Sequence, residues 1–128
     1  MVFSAHPVTG SRDEVVINAS WGLGESLVSG TVTPDTFVIR KADLAVVSRD
    51  IAEKRRMTVL AHEGTQEVPV PRKQQTAPSL NDGHVVKLAW LALALESAMG
   101  WPVDLECAFQ SQELYLLQCR PITTLGTL

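Results

Sequence analysis

The spacing of hydrophobic residues along the 128-residue chain predicts a series of short strands followed by one long helix. Compact β-branched or alternating runs are typical of strands. They occur at residues 15–20, 36–40, 45–49, 57–61 and 67–70. Pro69, Pro71 and Pro78 predict an extended, solvent-facing connection from these strands to the helix. Residues 1–10 predict a further apolar strand that enters a Pro/Gly turn. Such a strand usually continues a longer structure, so we expect the chain to be part of a larger protein.

Residues 79–99 have the period of a helix. Ser79 and Asp82 have the spacing of a capping box with Asp in place of Glu, and Gly100 with Pro102 predicts the helix end. The apolar positions form one stripe: Val85, Leu88, Leu91 or Ala92, Leu95 and Met99. A stripe of this kind can bind a partner protein, but it more often packs against a sheet. The whole pattern predicts an α+β fold, with a mainly antiparallel sheet backed by one long helix.

A hairpin is predicted after the helix, with strands at residues 103–109 and 114–120 and a polar turn at residues 111–113. Side chains alternate between the two faces of a strand, so residue parity sorts them. Pairing through a three-residue loop, with Gln110 opposite Leu114, creates one apolar face: Val103, Leu105, Cys107, Phe109, Tyr115, Leu117 and Cys119. The other face then carries three opposed pairs: Asp104 with Arg120, Glu106 with Gln118, and Ala108 with Leu116. A shift of one residue would mix polar and apolar side chains on both faces, so we expect the first register.

The polar face of this hairpin has the side chains that a magnesium-phosphate site needs. Mg²⁺ takes one or two carboxylates and fills its other positions with water and phosphate oxygens. An arginine beside it can grip a phosphate in bidentate fashion and stabilise charge during transfer. The same pattern is also typical of a solvated face with an ordinary Asp104–Arg120 ion pair. The residues alone leave both interpretations open.

Charge and composition restrict the partners. A formal net charge of −3 gives no electrostatic reason to expect nucleic acid or an acidic membrane surface. The N-terminus lacks the basic and apolar regions of a secretory signal, and the longest apolar run, residues 88–95, is too short to cross a bilayer. Cys107 and Cys119 have no metal-binding spacing, which indicates packing thiols in a reducing compartment. We therefore expect a cytoplasmic protein.

Four stretches together carry a family resemblance. They are Phe-Ser-Ala-His-Pro-Val-Thr-Gly at residues 3–10, Ile-Asn-Ala-Ser-Trp-Gly-Leu-Gly-Glu at 17–25, Val-Ser-Gly at 28–30 with Thr-Pro-Asp at 33–35, and Asp-Leu-Glu at 104–106 with Leu-Tyr-Leu-Leu-Gln-Cys-Arg-Pro-Ile-Thr at 114–123. In this order they resemble the nucleotide-binding domain of phosphoenolpyruvate synthases. Pyruvate phosphate dikinases and rifampicin phosphotransferases share this ATP-grasp domain. The resemblance covers essentially the whole chain.

The resemblance implies an ATP-grasp subdomain that closes over ATP from one side, with ATP and Mg²⁺ as cofactors. Glu106 and Gln118 match the positions that hold Mg²⁺ and the nucleotide phosphates. Arg120 matches the arginine on the transferring phosphate, and Asp104 its supporting acid. Glu25 matches an acidic residue near the phosphates. The resemblance thus makes Arg120 and Glu25 the expected catalytic residues.

The resemblance also implies domains beyond this chain. In this family ATP phosphorylates a histidine on a separate mobile domain, which passes the phosphate to pyruvate or to the antibiotic. We expect residues 1–128 to be the C-terminal part of the ATP-binding domain, with the other wall of the ATP site upstream and the phosphohistidine and pyruvate domains downstream. Alone, this part should be inactive, and apolar surface left by the missing half should favour self-association. Two alternatives remain, the same part of a rifampicin phosphotransferase and a non-catalytic remnant that acts as a binding module.

Two other features have ordinary explanations. The glycines at positions 22 and 24 do not complete a dinucleotide-binding pattern, because Leu27 stands where the third glycine is needed. Considered alone, these glycines indicate a tight strand-to-loop connection. The family resemblance implies that they allow a close backbone approach near the ATP cleft. His6, His62 and His84 lack metal-ligand spacing, and we interpret them as surface or loop histidines.

Overall fold

A computed structural model describes residues 1–24 and 33–123 of the chain. Within them, six strands form an antiparallel sheet in the order β4-β3-β2-β1-β7-β8. These strands are β1 Val2–Phe3, β2 Glu14–Ala19, β3 Asp35–Arg40, β4 Val46–Asp50, β7 Val103–Gln110 and β8 Glu113–Pro121. The short β1 lies between β2 and β7 and pairs with both, so it joins the first half of the sheet to the C-terminal hairpin.

One long helix, α2 (Asp82–Met99), packs on this sheet. The core between them consists of alternate strand residues and one side of the helix, including Val2, Val15, Ile17, Phe37, Ile39, Val85, Leu88, Ala92, Val103 and Leu105. The predicted α+β fold and the packing of the helix on the sheet are therefore confirmed. Met99, which was also predicted in the buried stripe, is instead 51% exposed. It is the last residue of the helix, where the chain turns away through Gly100 in the left-handed conformation.

The helix begins three residues later than the sequence predicts, and the predicted Ser79–Asp82 capping box is wrong. Asn81 is the N-cap: its side chain accepts the backbone N–H of His84 at 2.8 Å, and the His84 ring accepts the N–H of Asn81 at 3.2 Å. The hydroxyl of Ser79 is used elsewhere, because it donates to Asp35 at 2.7 Å. A contact from a distant strand has replaced the local cap.

A second, two-stranded sheet lies beside the first. Its strands are β5 Arg56–Ala61 and β6 Gly64–Pro69, and the one-turn helix α1 (Arg72–Gln75) follows them. We call β5, β6 and α1 the hairpin unit. The predicted extended connection after β6 thus contains a helical turn, although residues 71–74 are exposed as expected. Within residues 1–24 and 33–123, no helix combines the length and apolar character needed to cross a bilayer.

Candidate functional site

The face of the main sheet turned away from α2, called the outer face, carries the polar pairs that the sequence predicts. Because Leu105 lies in the core opposite Val2 and Cys119, its neighbours Asp104 and Glu106 point to the other side. Asp104 pairs with Arg120 and Glu106 with Gln118 across β7 and β8. The predicted register of the hairpin is confirmed at these two positions.

Beyond Glu106 the predicted register is wrong. The turn has two residues, Ser111 and Gln112, both with positive φ (50° and 71°), so Gln110 faces Glu113. An irregularity between Glu106 and Cys107 absorbs the difference of one residue. The half of β8 next to the turn therefore places its side chains on other faces than the sequence predicts. Leu114 packs against the core opposite Phe109. Tyr115 is 44% exposed and bonds Glu113, and Leu117 is 60% exposed.

Arg120 and Asp104 form an ion pair at the centre of the site. The guanidinium Nε lies 3.3 Å from Oδ1 of Asp104, which is the distance of a long hydrogen bond. The Arg120 side chain is 55% exposed, whereas that of Asp104 is 19% exposed. Asp104 is thus mostly buried, and Arg120 presents its charge to solvent.

Two depressions of the outer face meet at Arg120. One has a volume of about 330 Å³ and is lined by Met1, Phe3, Asn18, Pro34, Glu106, Gln118 and Arg120. The other has about 390 Å³ and is lined by Phe3, Pro7, Asp104, Arg120, Pro121, Ile122 and Thr123. The guanidinium therefore borders two spaces, and Glu106 and Gln118 share one of them with it.

Asn18 is a residue of this site that the sequence reasoning missed. It lies on the outer face of β2, and its Oδ1 accepts the hydroxyl of Thr36 at 3.1 Å. The signal was the parity of β2, because Ile17 and Ala19 point to the core. The alternation along β2 was hidden because Val16, which lies on the same face as Asn18, is also apolar and buried.

The glycine-containing loop after β2 reaches Glu106. A Cβ atom added at Gly24 would lie 3.3 Å from Oε1 of Glu106. Gly22 has a φ of 78°, and a Cβ there would collide with the carbonyl oxygen of Thr58 in β5. Gly22 therefore needs glycine, whereas Gly24 shows how closely the loop approaches the Glu106 carboxylate. Glu25 and residues 28–30, which the sequence analysis singled out, lie outside the described residues.

Among the described residues, no group of three or more His, Cys, Asp and Glu side chains could hold a metal ion. His6 caps its own loop by accepting the N–H groups of Val8 and Thr9 at 3.2 and 3.3 Å. His84 lies in the first turn of α2 and not in a loop, and its half-buried ring packs on Phe109 with ring centroids 4.3 Å apart.

The thiols of the hairpin are free, as predicted. Burial, with a smaller contribution from nearby Cys119 and Glu106, raises the pKa of Cys107 to about 11. A thiol with this pKa is protonated at neutral pH and is a poor nucleophile. Cys107 therefore serves packing next to the site.

Comparison with known proteins identifies the family of the chain. The family described as pyruvate phosphate dikinase, AMP/ATP-binding domain matches residues 1–127. The chain is 41% identical over 126 residues to a probable phosphoenolpyruvate synthase of Methanocaldococcus jannaschii. It is 39% identical over 134 residues to the phosphoenolpyruvate synthase of Pyrococcus furiosus, and 40% identical over 126 residues to a rifampicin phosphotransferase of Streptomyces sviceus.

Each of these matches covers 98% of this chain, but the chain spans only 11%, 16% and 14% of the three relatives. The likeness thus concerns one part of each larger protein. Because the family match runs over nearly every residue, the chain belongs to the AMP/ATP-binding domain family of pyruvate phosphate dikinase.

Proposed function

We propose that the outer face forms one wall of a Mg·ATP site in an ATP-dependent phosphotransferase of the phosphoenolpyruvate synthase type. The observation that carries the proposal is the joint position of Glu106, Gln118 and Arg120 around one depression of about 330 Å³. A carboxylate, an amide oxygen and a guanidinium at one place are the groups that a nucleotide with its metal ion requires.

Glu106 and Gln118 would hold Mg²⁺. They face each other across β7 and β8, so one carboxylate and one amide oxygen can approach the same ion. Two protein ligands suit Mg²⁺, which keeps its other positions for water and phosphate oxygens. When bound, the ion neutralises charge on the phosphates.

Arg120 would bind the phosphate that is transferred, and Asp104 would orient Arg120. Their ion pair runs through Nε and would restrain the orientation of the guanidinium. Arg120 borders both depressions. The bound phosphate would therefore lie where the depression of about 330 Å³, which would hold the nucleotide, meets the depression of about 390 Å³. Glu25 is a further candidate near the phosphates because it follows Gly24, which abuts Glu106.

The rest of the reaction would need domains beyond these 128 residues. Phosphoryl transfer depends on groups that position the substrates from more than one side. We propose that an upstream segment with lysine and arginine forms the opposite wall. A histidine on a mobile downstream domain would then accept the phosphate from ATP and pass it to pyruvate. Residues 1–128 alone should be inactive and should bind Mg·ATP weakly.

A second acceptor has equal support. Identity to the rifampicin phosphotransferase, 40%, is close to the 41% found for a phosphoenolpyruvate synthase. The antibiotic is therefore an alternative to pyruvate as the final acceptor, and a cytoplasmic location would suit either. The third candidate, a non-catalytic binding module, predicts that the outer-face residues are dispensable.

Nuclear magnetic resonance tests the proposed metal-nucleotide site. Titration of the ¹⁵N-labelled chain with ATP should shift the amides of Glu106, Gln118 and Arg120, and Mg²⁺ should strengthen this effect. In Glu106→Gln the strengthening by Mg²⁺ should be lost. Glu113→Gln, at the far end of the same hairpin, should behave as wild type. Shifts that are absent, or that lie away from the outer face, would contradict the proposal.

A further inference from the structure

The loop that abuts Glu106 is tied to the hairpin unit at two points. The indole N–H of Trp21 donates to the carbonyl oxygen of Gln74 in α1 at 2.8 Å. The backbone N–H of Leu23 donates to the carbonyl oxygen of Thr58 in β5 at 2.7 Å. Both bonds are short for N–H donors. Between them stands Gly22, whose positive φ brings the backbone against β5.

The hairpin unit is itself fastened to the main sheet by a buried polar cluster. Lys54, which precedes β5, donates to Asp35 of β3 at 2.8 Å, and both side chains are fully buried. Ser79, which follows α1, donates to the same aspartate through its backbone N–H and its hydroxyl at 2.8 and 2.7 Å. The backbone N–H of Lys54 donates to the carbonyl oxygen of Gln75 at 2.7 Å. The carbonyl group that Trp21 contacts therefore belongs to a turn fixed at both ends.

We infer that Trp21 is a positioning residue, which holds residues 21–24 against Glu106 through its bond to Gln74. The bond joins a side chain of the loop to a backbone group 53 positions away, in a segment that is itself fastened to the main sheet. This inference rests on the proposed Mg·ATP site, since it assigns to Trp21 the placement of the loop beside one of its ligands.

The chain offers a matched control. Trp101 makes a bond of the same kind, from its indole N–H to the carbonyl oxygen of Ile122 at 2.8 Å. Trp21→Phe and Trp101→Phe each remove one indole donor and keep an aromatic ring. Only Trp21→Phe should release the loop, because Trp101 has no bond to residues 21–24 or to the hairpin unit among the described contacts.

The test is nuclear magnetic resonance of the 128-residue chain in both variants. In Trp21→Phe, the nuclear Overhauser effect between Gly24 and the Glu106 side chain should weaken. Hydrogen exchange of the Leu23 amide should rise about threefold to tenfold, the change expected when one hydrogen bond is lost. Exchange of Val15 and Ile17 should stay as in wild type, which separates a local release from general destabilisation. Trp101→Phe should leave the Gly24–Glu106 effect and the Leu23 exchange unchanged.

A Mg·ATP titration of the same samples separates this inference from the proposed function. Trp21→Phe should raise the dissociation constant by a similar factor of about three to ten. If the Gly24–Glu106 effect and the Leu23 exchange are unchanged in Trp21→Phe, the positioning role is wrong, whatever ATP does. If they change as expected but wild type shows no Mg·ATP shifts at Glu106 and Gln118, the positioning of the loop stands and the proposed function fails.

Discussion

The buried ion pair between Lys54 and Asp35 should respond unequally to the loss of its two members. Asp35 accepts four hydrogen bonds: from the Lys54 ammonium, from the Ala52 N–H at 2.9 Å, and from the N–H and hydroxyl of Ser79. Lys54 also donates to the carbonyl oxygen of Ala52 at 2.8 Å. The carboxylate is thus the centre of the cluster, and the ammonium is one of several donors around it.

The contacts give the size of each effect. Lys54→Met removes the positive charge but leaves the carboxylate three donors, so we expect a loss of about 3 kcal/mol, at the low end for a broken buried pair. Asp35→Ala leaves a buried ammonium and removes the acceptor from three further donors, so we expect about 5 kcal/mol or more. The double variant Asp35→Asn with Lys54→Met removes both charges together and should lose less than Asp35→Ala.

Urea unfolding followed by circular dichroism measures these losses, provided that the slope with denaturant is the same in all variants. Lys41→Met serves as the control, because its pair with Glu96 is 15% and 22% exposed and should contribute less. The reasoning is refuted if Lys54→Met destabilises the protein more than Asp35→Ala, or if neither variant is less stable than Lys41→Met.

Three further predictions concern the helix and the hairpin. Asn81→Ala should lower the free energy of unfolding by about 1 kcal/mol, because it removes the N-cap; an unchanged thermal midpoint would contradict the assigned cap. Cys119→Ser leaves one thiol, and ultraviolet titration of this variant should give Cys107 a midpoint near 11. Folding stability should fall as the pH rises from 9.0 towards 11, because only the thiol of the unfolded chain ionises in that range. A midpoint at 9.0 would contradict burial as the cause. Trp90, which is 64% exposed on α2, should promote self-association, and light scattering should find Trp90→Glu less associated than wild type; a wild-type monomer at all concentrations would contradict this.

The part of the site that sequence predicts correctly is the part where polar and apolar residues alternate strictly. From Asp104 to Glu106 and from Gln118 to Arg120, each polar residue has an apolar neighbour, so only one register keeps the core apolar. The helix was predictable for a similar reason, because its period extends over many turns. Both features depend on residues close together in sequence.

The part that fails depends on information that parity does not contain. Residues 114–117 are consecutively apolar, so either register buries some of them, and the irregularity after Glu106 leaves no mark in the sequence. The turn at Ser111 and Gln112 adopts positive φ without the usual Asn-Gly signal. Ser79 was misassigned as a cap because its real partner, Asp35, lies 44 positions away. A contact between residues this far apart in sequence overrides the local pattern and cannot be read from it.

The most direct test of the central claim compares two exposed arginines that each pair with an aspartate. Arg120 is 55% exposed and its Nε lies 3.3 Å from Asp104, while Arg40 is 52% exposed and its Nε lies 3.1 Å from Asp43. The measurement is the dissociation constant of Mg·ATP for Arg120→Ala and Arg40→Ala, from amide shifts of the labelled chain. We expect Arg120→Ala to weaken binding roughly tenfold or more, the loss typical of a charged hydrogen bond, and Arg40→Ala to match wild type. Equal dissociation constants in the two variants would show that the outer face is not the nucleotide site.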